Sequence, residues 1–172
     1  GLLSDTLILT SPTTTERDSE AAQRLARWAF VPGSILSGET IQTYGEKILT
    51  ASAGLGNRLP EEIVSSDMKL YTAGGLDFAI AQAEVSDLNE VTKQLEPLTQ
   101  ALDNLRIKKN VIFAMLMVTD VVRGSSRIIL SNPPPVLDEL PYKPLQDNTR
   151  LAEGVVSRKK QLLPVVLGLL EE

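Results

Sequence analysis

At 172 residues, 42% hydrophobic and 23% charged, the chain has the composition of a folded domain, too apolar for disorder and, with 4% aromatic residues, too poor in rings to offer nucleic acid a stacking surface. A formal charge of -5 argues against nucleic acid or an anionic membrane as partner and leaves small anions, held by a local basic cluster, as the ligand class to expect. The absence of cysteine and histidine excludes disulfide frameworks, thiolate metal sites and any chemistry that needs this chain's own imidazole.

The chain opens on GLLSDTLILT, which reads as the inside of a longer element, so a truncated polypeptide is expected. The opening lacks the basic leader of a signal peptide, and no apolar run approaches the roughly 20 residues that cross a bilayer, so a cytoplasmic location is expected. Thr13, Thr14 and Thr15 offer helix N-caps, and residues 18–30 carry Ala22, Leu25, Ala26 and Ala29 on one face of an amphipathic helix. Gly33 and Gly38 punctuate, residues 39–53 read as a second helix, and the stretch 54–57 closes it. Residues 60–66 form a short helical link with proline in its first turn, after which the pattern changes to strands.

Residues 69–72 and 76–85 flank Ala73, Gly74 and Gly75, a β-hairpin whose second strand alternates in DFAIAQAEV. Residues 88–105 give the clearest helix, with Leu88, Val91, Leu95, Leu98 and Leu102 three and four apart and Pro97 its one discordant residue. VIFAMLMV, residues 111–118, is apolar throughout and predicts a central strand buried on both faces; residues 127–130 predict its neighbour beyond the Gly124 turn. Pro133 to Pro135 start a short helix, an irregular stretch follows, and the chain ends in SRKKQLLPVVLGLLEE. This order of elements predicts an α/β fold with a mixed sheet flanked by helices.

Arg158, Lys159 and Lys160 are the strongest local signal, because Pro164 makes the last helix kink or begin close by and leaves the cations in its first turn or the preceding loop. There, backbone N–H groups and an arginine fork can converge on a phosphate; the tripeptide alone reads first as a solvated basic turn balancing Glu171 and Glu172. Asp5, by itself, is a cap or turn residue before it is a metal ligand. Lys69, by itself, is a surface lysine. Asp120 stands at the end of the buried strand, where α/β sites gather, and reads first as a strand terminator capping the Gly124 turn.

Taken together, SDTLILTSPTTTERD, DMKLY, FAIAQAEVSDLNEV, FAMLMVTDV and LQDNTRLAEGVVSRKKQLLP resemble DHH-superfamily phosphoesterases, in particular the family II, manganese-dependent inorganic pyrophosphatases. The resemblance implies that Asp5 is a metal ligand and that Arg158, Lys159 and Lys69 bind substrate phosphate. It further implies that residues 1–58 are the helical end of the DHH catalytic domain and residues 59–172 the complete phosphate-binding domain. The family's histidines and Asp-x-Asp group are absent, so the chain is expected to supply the cationic clamp of an enzyme that hydrolyses pyrophosphate to two phosphates, and to be inactive alone. Exopolyphosphatase, nucleotide phosphodiesterase and non-catalytic phosphate sensor are the alternatives. Manganese, or cobalt or magnesium, is implied for the full-length enzyme and none for this fragment. The partners implied are pyrophosphate or polyphosphate, the missing DHH domain and a second copy joined through that domain, with neither nucleic acid nor membrane.

Overall fold

The computed structural model describes residues 1–56 and 58–171, with every side chain among them except that of Ser52. Asn57 and Glu172, which enter the expectations above, lie outside the described residues. The chain divides into two compact units, Gly1–Ala53 and Gly54–Glu172.

The first unit is helical: α1 (Leu2–Asp5), α2 (Glu16–Ala29) and α3 (Ile41–Ser52). Thr15 starts α2 because its hydroxyl accepts from the Asp18 amide at 3.3 Å while the Asp18 carboxylate accepts from the Thr15 amide at 2.8 Å, a reciprocal cap. A bond from the Thr15 hydroxyl to the Asp18 carboxylate at 2.7 Å, together with the one from the Thr15 amide, holds the Asp18 carboxyl below its ordinary range. Thr40 and Thr43 start α3 in the same way. Of the predicted apolar stripe on α2, Ala22 is buried, whereas Leu25 remains 53% exposed and lines a shallow apolar groove with Leu2, Leu3 and Tyr44.

The second unit begins with α4 (Pro60–Ser66), whose proline sits at the start, where the missing N–H would have no helical partner anyway. Strands β1 (Met68–Ala73) and β2 (Leu76–Val85) form the expected hairpin. Its tip is Gly74-Gly75 at φ 57° and 74°, the left-handed pair that a tight hairpin of this twist requires. The predicted single helix is two: α5 (Asn89–Lys93) and α6 (Leu95–Lys109). The break at Gln94 puts Pro97 in the first turn of α6, where its missing N–H costs no hydrogen bond within that helix. Asn110 ends α6 in a left-handed conformation, φ 54°.

Strand β3 (Phe113–Asp120) is buried at every position, as its unbroken apolar run predicted, and β4 (Ser125–Ser131) lies antiparallel beside it. Asp120 ends β3 as the terminator the sequence suggested: Oδ1 accepts from the amides of Val122 and Arg123 at 3.0 and 2.8 Å. The segment expected to be irregular contains two short strands, β5 (Lys143–Pro144) and β6 (Arg150–Glu153), after a 3₁₀ turn at Pro135–Glu139. They complete a six-stranded mixed sheet in the order β1-β2-β3-β4-β6-β5, parallel between β2 and β3. A π-helical turn (Arg158–Leu162) runs into α7 (Leu163–Glu171).

Alternation divides the core between the two faces of the sheet. Ala79, Ala81, Ala114, Leu116 and Val118 pack with Leu98, Leu102 and Leu105 of α6 and Ile63 of α4. Phe78, Ile80, Phe113, Met115 and Met117 pack with Leu137 of the 3₁₀ turn and with Leu162 and Val166. Phe78 and Phe113 stack in parallel, ring centroids 4.8 Å apart. Buried Arg127 braces the far side of the sheet, donating from Nε to Thr149 Oγ1 at 2.9 Å, from Nη1 to Thr92 Oγ1 at 2.6 Å, and from Nη2 to Asp147. Burial opposes ionisation of Asp147, but the bonds from Thr149 and the Arg127 charge outweigh it and keep the carboxyl below its ordinary range. No described helix is long and apolar enough to cross a membrane.

The hairpin tip also bears on α7, because a Cβ built on Gly74 would lie 2.1 Å from the carbonyl oxygen of Leu170, whereas one on Gly75 meets nothing within 4 Å. Gly75→Ala therefore carries only the left-handed backbone penalty, about 1–2 kcal/mol, and Gly74→Ala adds a backbone clash of about 1–3 kcal/mol. Denaturant unfolding of the two variants side by side checks this; equal losses would contradict the close approach.

Candidate functional site

The loop that leaves β6 is held by one side chain. Gln161 Oε1 accepts from the amides of Val156 and Ser157 at 2.9 and 3.0 Å, while its Nε2 donates to the carbonyl of Gly154 at 2.9 Å. Ser157 caps the turn that follows, its Oγ accepting from the Lys160 amide at 3.2 Å, and its carbonyl accepts from the amides of Gln161 and Leu162 at 3.0 and 3.2 Å. The bond to Leu162 spans one residue more than an α-helical bond, so the basic residues occupy a widened turn rather than a regular first turn.

Buried polar groups tie this loop to the sheet. Ser126 Oγ donates to the Val155 carbonyl at 2.6 Å and lies 2.9 Å from Thr119 Oγ1; Gln82 Nε2 lies 3.4 Å from both Thr119 Oγ1 and the Val156 carbonyl. Gln82 and Thr119 belong to the C-terminal halves of the two parallel strands, the end of an α/β sheet where ligands collect. Leu162 and Val166, both fully buried, anchor the other side of the turn.

Arg158 folds back over the sheet rather than into solvent, its side chain 11% exposed. Nη1 donates to the carbonyls of Asp67 and Ile80 at 2.7 and 3.2 Å, and Nη2 donates to Asp67 Oδ1 at 2.8 Å. Ile80 is the register partner of Lys69, so the guanidinium lies at the stretch of sheet that carries Lys69. Strand alternation puts the Lys69 side chain on the same face as Tyr71 and Ile80, which is also the face covered by α7. Lys69 and Lys159 are exposed, and neither makes a side-chain hydrogen bond or ion pair among the described residues. Arg158 thus lies beside the start of β1, which carries Lys69, and Lys159 is its neighbour in the chain. Asp5 belongs to the Gly1–Ala53 unit, where it is exposed at the end of α1.

Three supporting residues carry little or no signal of their role in the sequence. Asp67 contacts Arg158 across 91 positions, a separation at which no local pattern gives warning. Gln82 looks like one more polar residue of an alternating strand. Only Gln161 left a trace, as an amide one turn after a helix-capping serine.

Residues 46–169 match the DHHA2 domain model. The chain belongs to the DHHA2 domain family. Its DHHA2 region runs from within α3 almost to the end of α7 and contains Lys69, Arg158 and Lys159, but not Asp5. Among curated proteins, the manganese-dependent inorganic pyrophosphatase of Bacillus subtilis (strain 168) is 32% identical over 172 residues, covering 99% of this chain and 53% of its own. That of Methanocaldococcus jannaschii is 30% identical over 163 residues, covering 95% of this chain and 51% of its own. A crystal structure from Methanococcus jannaschii, described as a family II inorganic pyrophosphatase, superposes with a TM-score of 0.79 at 29% identity over 98% of this chain and 52% of that one. The DHHA2 chain thus spans about half the length of the curated relatives it matches.

The manganese in those names does not fit the donors of this chain. There is no histidine or cysteine, and among the described residues no group of three or more acidic side chains comes together. Asp5 alone is one exposed carboxylate, too few oxygens for a divalent ion.

If Gln161 is the clasp of the basic turn, Gln161→Leu exposes the amides of Val156 and Ser157 to exchange and costs about 1–3 kcal/mol. Gln161→Glu keeps both acceptor bonds and should keep those two amides protected. Amide hydrogen exchange on both variants decides; unchanged protection in Gln161→Leu would remove the clasp.

Proposed function

We propose that this DHHA2 chain is the anion-gripping portion of a manganese-dependent inorganic pyrophosphatase, which hydrolyses pyrophosphate to two phosphates. The observation that carries this reading is the placement of Arg158: a side chain 11% exposed, its guanidinium braced by backbone and carboxylate oxygens on the stretch of sheet that carries Lys69. A fixed cation of this kind loses little freedom when it takes up an oxygen-rich anion, and its planar fork matches two phosphoryl oxygens. Lys69 and Lys159 add ammonium groups without a partner among the described residues, which act as movable point charges.

The reaction explains why such a grip matters. Water adds to one phosphorus, the bridging P–O bond breaks, and the second phosphate leaves with the bridging oxygen and its negative charge. Both the polyanionic substrate and the developing charge repel an incoming oxygen nucleophile unless cations take up the peripheral oxygens. Arg158, Lys159 and Lys69 do that and hold the anion in one orientation. On this reading Asp5 supplies one carboxylate to the metal site and the other ligands belong to polypeptide beyond this chain, since the relatives are about twice as long. The absence of cysteine accords with a protein that works in the reducing cytoplasm.

In the full-length protein, Arg158→Ala is expected to lower manganese-supported pyrophosphate turnover by about 10²-fold or more with thermal unfolding displaced by only a few degrees. Lys69→Ala and Lys159→Ala should each raise KM. Assays against pyrophosphate, polyphosphate and cyclic dinucleotides, run in parallel, report substrate choice. Wild-type turnover in Arg158→Ala would overturn the assignment.

A further inference from the structure

The donors of Arg158 are divided in an informative way. Nη1 donates twice, to the carbonyl of Asp67 and to that of Ile80, so both of its hydrogens are used. Nη2 gives one hydrogen to Asp67 Oδ1. Asp67 therefore takes one hydrogen from each terminal nitrogen and sits across the end of the fork, while Ile80 takes the hydrogen on the far side. Among the described residues, what remains without a partner is the Nε–H and the second Nη2–H, adjacent and parallel along a single edge. That edge is one of the two faces with which arginine binds a pair of phosphate or carboxylate oxygens.

We infer that Asp67 is a positioning residue: by occupying the end of the Arg158 fork it aims the free Nε/Nη2 edge at the anion. The inference rests on the reading that Arg158 grips phosphate, and it adds a role for a carboxylate that a phosphate site would otherwise exclude. Like charge makes an acidic residue beside a polyanion unfavourable, so its presence calls for a compensating function. Asp67 has the means to provide one. Its backbone carbonyl is itself fixed, accepting from the Gln82 amide at 2.9 Å as well as from Nη1, and it lies immediately before β1, where the strand pairing begins. The carboxylate thus hangs from a rigid point, and an arginine otherwise free to rotate about its side-chain bonds is held in one attitude before any ligand arrives.

Two consequences separate positioning from simple competition for the guanidinium. Removing a positioning carboxylate lowers kcat, since misorientation in the transition state is its main effect, and leaves KM unchanged or lower, because a negative charge has gone. Removing a mere competitor lowers KM alone. Steady-state hydrolysis of pyrophosphate with manganese by the full-length protein, carrying Asp67→Ala, Asp67→Asn, Arg158→Ala and the Asp67→Ala/Arg158→Ala pair, distinguishes them. The expected result is a loss in kcat of about tenfold for Asp67→Ala without a rise in KM. Asp67→Asn, which keeps a neutral Oδ1 acceptor and guards against a folding defect, should recover most of the loss. In the Arg158→Ala background, Asp67→Ala should cost nothing further. Wild-type kcat in Asp67→Ala, or the same fold loss in both backgrounds, overturns the inference while leaving the clamp intact. Wild-type turnover in Arg158→Ala, by contrast, removes the clamp and this inference with it.

Discussion

Residues Phe78 to Ala81 of β2 and every position of β3 are out of contact with water, so this parallel pair needs apolar cover on both faces, and that need arranges everything around it. One face receives α4 and α6. The other is closed by Leu137 and Leu140, from the 3₁₀ turn and the residue after it, together with Leu162 and Val166. Each large aliphatic side chain buried in this way contributes on the order of 1.5–3 kcal/mol, enough in aggregate to fix where α7 lies. Because Arg158 and Lys159 lie four and three residues before Leu162, the docking of α7 decides where the basic turn sits.

A charged turn pressed against a sheet has to be solvated by protein, since a buried polar group without a partner is expensive. The hydrogen bonds of Gln161, Ser126, Thr119 and Gln82 meet that need for the backbone, and the carbonyls of Asp67 and Ile80 meet it for the guanidinium. The same bonds that make the loop tolerable also make it rigid. Rigidity is what a site for a small, highly charged anion requires, because the ligand supplies little apolar surface and must be recognised by oxygen geometry. Fold and site are therefore not separate achievements here: the core sets the position of the turn, and the satisfaction of its polar atoms sets its attitude.

Much of this could be read in the chain alone. VIFAMLMV has no polar face, which only a doubly covered strand tolerates, and Gly74-Gly75 between two alternating runs leaves little but a tight hairpin. SRKKQ ahead of a proline and an apolar run located the basic turn at a helix start. Other features were hidden for identifiable reasons. The leucine spacing from Leu88 to Leu102 continues without interruption through the break at Gln94, since both α5 and α6 bury the same side; Pro97 was the warning, and it proved to mark a beginning rather than a flaw. Strands β5 and β6 are short and rich in polar residues, and they hold their place by pairing at the sheet's edge and through the Arg127 brace, neither of which has a local signature. The Asp67–Arg158 contact is closed by topology alone.

The central claim is that the Nε edge of Arg158 receives the anion. Its most direct measurement is the ¹H–¹⁵N spectrum of the arginine Nε–H groups during titration with pyrophosphate, the Arg158 signal being assigned by its loss in Arg158→Lys. A saturable shift of that one resonance, absent with sodium chloride at matched ionic strength, is the predicted result. An Arg158 Nε–H signal that stays in place while pyrophosphate binds elsewhere would contradict the account.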